Sequence, residues 1–304
     1  MFAKTAPAWN PDLTAAPESP LTPGELEARA RLRARPDFPE IARRAAVNLG
    51  RSYQGNVLLT RLLNDRARIA LALLMLDMHF EPAEAPGLTA GRLKAEAVAL
   101  GLCSPGRVGA VLAAARLLGL VAPAPDKDGR RRRLVATPRL LDIHRERWRV
   151  LFEAMHPALP EGGIGLSRLD DPGFGAAYVS ALLRPFRAGW RIAHDIPRVD
   201  VFADRDGGLM IAFALYEATR AGETLTILHL AQTYRVSRSH VGDILRKAAE
   251  AGLVRRVEAP GTGSAGFVAE PALDEAIDTF VAIALVRQAF AIREAVAATS
   301  AGPR

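Results

Sequence analysis

Apolar residues recur at intervals of three and four along most of the chain, a pattern that predicts helices nearly throughout and few strands. Two short helical patterns occupy 23–34 and 39–50. From Asn56 to His79 the positions Val57, Leu58, Leu62, Leu63, Ile69, Leu73 and Leu76 predict a long helix, broken at most once. An apolar helix is expected over 176–190, and Leu159–Gly173 (LPEGGIGLSRLDDPG) reads as a loop. The clearest pattern begins after Asp204–Gly208. Leu209–Thr219 predicts a helix ended by Ala221–Gly222–Glu223, and Ile227–Tyr234 predicts a second, capped by Thr224 or Thr226. A short turn at Arg235–Val236 leads to Ser237, placed to cap a third helix, Ser237–Ala251, with Val241, Ile244, Leu245 and Ala248 on one face. Gly252 suits the left-handed exit from that helix. Leu253–Val257 then reads as a strand, Glu258–Gly266 as a Gly-rich loop and Phe267–Ala269 as a returning strand. Pro271 opens a last helix.

The same pattern occurs earlier. Displaced by 133 positions, Ser104–Leu140 lies on Ser237–Leu273 without a gap, and 12 of the 37 positions are identical. They include Gly119-Leu120-Val121 against Gly252-Leu253-Val254, and Val135-Ala136-x-Pro138 against Val268-Ala269-x-Pro271. The first copy has helical patterns near Ile69–Met78, Thr89–Leu100 and Ser104–Leu118, then Gly119, strand, loop, strand and Pro138. Extra residues around Glu81–Gly87 separate its first two helices. Two copies at a fixed period predict an internal duplication, not a solenoid.

Helix, helix, tight turn, helix and hairpin is the layout of a winged helix-turn-helix. The segments 97–121 and 230–254 resemble bacterial MarR-like winged-helix regulators, including the "AGLV" exit at 251–254. The resemblance implies a mainly α fold with small β-hairpin wings, in tandem winged helix-turn-helix domains. The organisation expected is a disordered tail over 1–22, where prolines concentrate. A winged-helix domain with leading helices follows over 23–158, a loop and connecting helix over 159–204, and a second winged-helix domain with a long terminal helix over 205–304.

The resemblance also implies binding of double-stranded DNA and regulation of transcription, because the start of the third helix enters the major groove in such folds. Charge agrees in sign: 40 Lys and Arg against 33 Asp and Glu give a formal +7. In the second copy the outward positions are Arg238, Ser239, His240, Asp243, Arg246 and Lys247. Arg238 is expected to read guanine, Ser237, Ser239 and His240 to touch bases or phosphates, and Arg235, Arg246 and Lys247 to hold phosphate. The first copy offers Ser104 and Arg107 on its third helix and compensates with Lys127 and Arg130, Arg131, Arg132 and Arg133 between its strands. Two alternatives remain: a plasmid-type replication initiator with tandem winged helices, or a winged-helix module that binds protein.

Apolar positions almost encircle the last helix (Ile277, Phe280, Val281, Ile283, Val286, Ala289, Phe290). Either a second protomer covers them, making a homodimer through terminal helices, or the two halves of the chain pack together. No cofactor, metal or catalytic activity is expected, since one cysteine and six scattered histidines form no ligand motif. Cys103, just before a helix start, would be a redox sensor only if its thiol pKa were lowered. Apolar runs are too short for a membrane span and the N-terminus lacks a secretory pattern, so a cytoplasmic, nucleoid-associated protein is expected.

Overall fold

The computed structural model describes residues 21–53, 65–124, 133–196, 198–258 and 265–301. Helices α1 (Pro23–Arg33) and α2 (Phe38–Tyr53) lead into α3 (Arg66–Phe80), α4 (Ala90–Ala99) and α5 (Pro105–Leu117). Strands β1 (Val121–Pro123) and β2 (Leu134–Ala136) precede α6 (Pro138–Met155), α7 (Glu161–Arg168) and α8 (Pro172–Arg187). Two single turns, α9 (Ile192–Asp195) and α10 (Asp200–Ala203), connect to α11 (Gly208–Arg220), β3 (Leu225–Thr226), α12 (Ile227–Tyr234) and α13 (Arg238–Glu250). Strands β4 (Val254–Glu258) and β5 (Ala265–Ala269) and the long α14 (Pro271–Ser300) complete the chain. The protein is therefore mainly helical with two small antiparallel sheets. Among the described residues no helix is long and apolar enough to cross a membrane. The expected tail falls almost wholly outside them, as does the start of the helix read from Asn56; the described part, α3, is capped by Asp65, whose carboxylate accepts from the Arg68 N–H at 2.9 Å.

The elements recur at the offset of 133. Helices α5 and α13 occupy equivalent ranges, 105–117 and 238–250, each capped by a serine hydroxyl that accepts from the N–H three residues on. Each ends at a left-handed glycine, Gly119 (φ 66°) or Gly252 (φ 71°), a conformation that costs a side chain-bearing residue about 1 kcal/mol. The following N–H then reaches back to the helix: Leu120 to the Ala115 carbonyl and Leu253 to that of Ala248, both at 2.8 Å. Strand registers match as well, Val121 facing Ala136 and Val254 facing Ala269. In the second sheet the order is β3–β5–β4, with Leu225 opposite Phe267. The first has the same edge in reduced form, a single bridge between Leu88 and Leu134.

One expectation is corrected. Residues 159–173 are not a loop: Glu161–Arg168 is helical despite three glycines. A Cβ on Gly162 would lie 2.6 Å from the Phe152 carbonyl oxygen, and one on Gly165 would lie 2.8 Å from the Phe152 ring and 2.9 Å from Ile292. The glycines let α7 approach α6 and α14 closely, and that burial outweighs their low helix propensity. Asp171 caps α8 by accepting from the N–H groups of Gly173 and Phe174.

Among the described residues one large apolar cluster runs from Leu32 to Ala295, and a small second one joins Ile196, Val199, Ala276 and Ile283. Helix α14 is at its centre, packed on α1, α2, α7, α8 and α11, so Ile277, Val281, Ile283, Val286 and Ala289 are buried by the chain's own helices. The all-round apolar character that invited a second protomer is thus satisfied within one chain. Polar groups also enter this interior. Glu25 of α1, 1% exposed, accepts from Arg29 at 3.1 Å and from Arg287 of α14 at 2.9 Å. Arg29 donates further to Asp195 and Arg287 to Glu294.

His144 of α6 is fully buried beside Trp148, and neither ring nitrogen has a hydrogen-bond partner. Burial, and after it the charge of Arg147, holds its imidazole well below its ordinary range. The unfolded chain takes up this proton near pH 6.5, the folded chain only at lower pH, so the stabilisation is present above about 6.5 and is lost as pH falls, by up to about 1.4 kcal/mol per unit. His144→Leu is expected to flatten that acid slope in urea denaturation between about pH 7.5 and 5.5 without lowering stability at the upper value. An unchanged slope would locate the acid sensitivity elsewhere.

Candidate nucleic-acid interface

The α12–turn–α13 segment is built from local chemistry. Thr226 is the cap used: its hydroxyl accepts from the His229 N–H at 3.2 Å. Leu230, Ala231 and Tyr234 turn inward, and Arg235 leaves α12 in the left-handed region (φ 54°), its N–H returning to the Ala231 carbonyl. This tight exit costs a non-glycine residue something, and it points the Arg235 side chain outward, where it is exposed. Ser237 caps α13, with the Ser239 hydroxyl 3.1 Å from its own. Val241, Ile244, Leu245 and Ala248 are buried, which leaves Arg238, Ser239 and Arg246 exposed.

The third residue of each of these helices reaches back to the start of its unit, and the two are equivalent at the offset of 133. In the second unit the His240 imidazole Nε2 lies 2.9 Å from the Asp206 carbonyl oxygen, so that nitrogen carries the proton. In the first, Arg107 donates to the buried Asp65 carboxylate at 2.7 Å. Arg68 joins the two ties, lying 3.2 Å from Asp65 and 3.5 Å from the Asp206 carboxylate. A chain of polar contacts thus connects the N-terminal ends of α5 and α13 through Arg107, Asp65, Arg68, Asp206 and His240. Two helix starts, each a natural place for an anion, are held in one fixed relation.

Charges around α13 are partly neutralised. Arg246 is held by Asp243 at 2.6 Å and Glu250 at 2.7 Å, while Lys247 and Arg205 also face Asp243, at 3.6 and 3.2 Å. These contacts, the Arg246 hydrogen bond foremost, hold the Asp243 carboxyl below the usual range, so it stays ionised. Arg255 is paired with Glu270 at 2.8 Å. Arg235, Arg238 and Arg256 are exposed and have no ion-pair partner among the described residues.

The structure therefore sorts the expected residues. Arg235, Ser237, Arg238 and Ser239 stand together at the start of α13, while Arg246 and Lys247 are engaged further along it. Ser104 acts as a helix cap and Arg107 as a tie to Asp65. Arg133 does not join a phosphate-facing run: its guanidinium donates to the carbonyls of Glu81, Pro82, Ala83 and Ala85, holding the extra residues between α3 and α4 in place. Lys127, Arg130, Arg131 and Arg132 lie outside the described residues, as do 261–264 of the Gly-rich GTGSAG segment. Asp243 was visible as an outward residue, yet its part as a charge hub depends on Arg205 from a distant turn. Burial pushes the Cys103 thiol up, outweighing nearby Arg107, contrary to what a redox sensor requires. Among the described residues no group of His, Cys, Asp and Glu could hold a metal ion.

The first unit presents a different outer face. Along α5 the outward positions include Pro105, Gly106, Ala110, Ala113 and Leu117, and Leu117 is 87% exposed. Compared with protein-family models, with characterised proteins and with solved structures, the chain matches none.

Proposed function

We propose that the protein binds double-stranded DNA sequence-specifically and regulates transcription, through two winged helix-turn-helix units in one chain. The observation that carries this reading is the second unit: a β3–β5–β4 sheet beside α11, α12 and α13, with Arg235 and Arg238 at the start of α13 without an ion-pair partner among the described residues. A guanidinium fork there suits guanine O6 and N7 or a phosphate, and the neighbouring serine hydroxyls suit either. Arg246 and Lys247 reach phosphate at the cost of their contacts with Asp243. Lys127 and Arg130–Arg132, which the sequence places between β1 and β2, add sequence-independent grip. The reading makes this a regulator working at the bacterial nucleoid.

One observation favours a second reading for the first unit alone. The middle of the outer face of α5 carries the small Ala110 and Ala113, and Leu117 projects beside Arg116, a mix that suits a protein contact better than a major groove. Titration of duplex DNA at several salt concentrations tests the proposal. A steep fall in affinity with salt is expected, and replacing Arg130–Arg132 with Ala should reduce the slope by about 2 to 3 without changing base preference. A chain that fails to bind duplex at low salt would overturn the reading.

A further inference from the structure

In each unit a side chain of the first helix accepts from the last backbone N–H of the returning strand. In the second unit the Ala269 N–H donates to the Thr219 hydroxyl of α11 at 2.7 Å. In the first, the Ala136 N–H donates to the His79 imidazole Nδ1 of α3 at 3.2 Å. Ala136 and Ala269 are equivalent at the offset of 133, and His79 and Thr219 are each the last residue but one of their helix. The same clasp thus occurs twice, once with a hydroxyl and once with a group that titrates near neutrality. The first sheet leans on its clasp more. Strand β5 is paired along its outer edge with Leu225 and Thr226 of β3, whereas β2 has a single bridge, from Leu88. Beside that bridge Arg133 reaches the carbonyls of Glu81, Pro82, Ala83 and Ala85.

We propose that His79 is a pH-sensitive clasp on the β1–β2 hairpin: its protonation releases Ala136 and frees the end of β2 from α3, while the Thr219 clasp of the second unit stays closed. An Nδ1 that accepts carries no proton, so the neutral ring holds its proton on Nε2. An imidazolium has a proton on both nitrogens, and its Nδ1–H would point at the Ala136 N–H, donor against donor. The surroundings oppose the charged ring as well. Arg133, beside β2, is the charge that acts on it. The acids near α3 are already engaged: Asp77 of α3 and Glu96 of α4 both meet Arg187 of α8 at 2.7 Å, and Glu81 holds Arg92 of α4 at 2.6 Å. Arg184 of α8 is paired with Glu294, and Lys94 of α4 lies over Gly109 of α5. None of these acids is left to compensate an imidazolium. Burial first, and then Arg133, holds the His79 ring below its ordinary range. The clasp is therefore closed above about pH 6.5, and its contribution is lost as pH falls. Lys127 and Arg130–Arg132 lie between β1 and β2 in the sequence, so the strand that acid loosens is the one that anchors this basic run. The clasp does not rest on the DNA-binding reading, and its test is made without DNA, so either can fail alone.

The test uses NMR of the isotope-labelled full chain: ring nitrogen shifts of His79, and amide hydrogen exchange at Ala136 with Ala269 as the internal reference. At about pH 7.5 the His79 proton is expected on Nε2. Between about pH 7.5 and 5 the protection of Ala136 relative to Ala269 should fall about five- to ten-fold as the ring titrates. His79→Asn, whose amide oxygen takes the place of Nδ1 and does not titrate, should hold the ratio constant. His79→Leu should give the low ratio at both ends of the range. His144→Leu, which changes the acid response of the whole fold, should leave the wild-type fall in the ratio as it is. A constant ratio in the wild type, a proton on Nδ1 at the upper pH, or the same fall in His79→Asn would each overturn the proposal.

Discussion

An Arg238→Ala variant is expected to lose about 10- to 100-fold in affinity for its preferred duplex while binding random-sequence duplex nearly as well as the parent chain. The asymmetry follows from what surrounds the side chain. Arg238 is exposed at the first position of α13 and has no ion-pair partner among the described residues, so removing it breaks nothing in the fold. Its loss should therefore register in base discrimination and not in melting temperature. Arg246 is the informative contrast. It sits between Asp243 and Glu250, and Arg246→Ala frees Glu250 and leaves Asp243 to Lys247 and Arg205, adding negative charge to the face proposed to meet DNA. That change should weaken all duplexes alike. Fluorescence anisotropy with a preferred and a scrambled duplex separates the two cases, and equal losses from Arg238→Ala would remove its part as a base reader.

Glu25→Ala is expected to cost about 3 to 5 kcal/mol of stability, the largest effect on stability of any single substitution considered for this chain. Glu25 belongs to α1, near the beginning of the described chain, yet it is almost completely buried between Arg29 and Arg287, themselves about nine-tenths buried. Removing the carboxylate leaves two guanidinium groups in an apolar setting, each with one remaining acid, Asp195 or Glu294. The penalty is that of uncompensated buried charge, not of the lost contact alone. Urea denaturation gives the value directly. A loss below about 1 kcal/mol would mean that water reaches the cluster and that α1 is only loosely attached to α14.

How much of this was legible in the sequence depended on the range over which each feature acts. The ends of α5 and α13 were readable because serine caps and left-handed glycines act within four residues, and the offset of 133 repeated both signals. The edge of each sheet was harder: Leu88 and Leu225 pair with residues 46 and 42 positions away. Helix α7 was misread because its glycines answer to Phe152 and Ile292, neither of which a local pattern reveals. The candidate site divided in the same way. Arg235, Ser237, Arg238 and Ser239 follow from the helical period and the cap. The ties that occupy Arg107, Arg133 and His240 arise from partners 34 to 52 residues away, so the outward half of a helical pattern could not separate free arginines from committed ones. Equally, the buried Glu25–Arg287 pair spans 262 residues, so no local pattern marks either charge as buried.

The connection between α5 and α13 through Asp65, Arg68 and Asp206 also gives the two units a fixed geometry. A chain that presents two helix starts in one relation should prefer sites with two unequal parts at constant spacing, the larger share of base information lying under α13. The measurement that tests the central claim most directly is selection of random duplex DNA on the purified full chain, with enriched sites remeasured at several salt concentrations. The account predicts a defined motif whose preference over scrambled duplex persists as salt is raised and is lost in Arg238→Ala. Weak, uniform binding that vanishes with salt and yields no motif would contradict it.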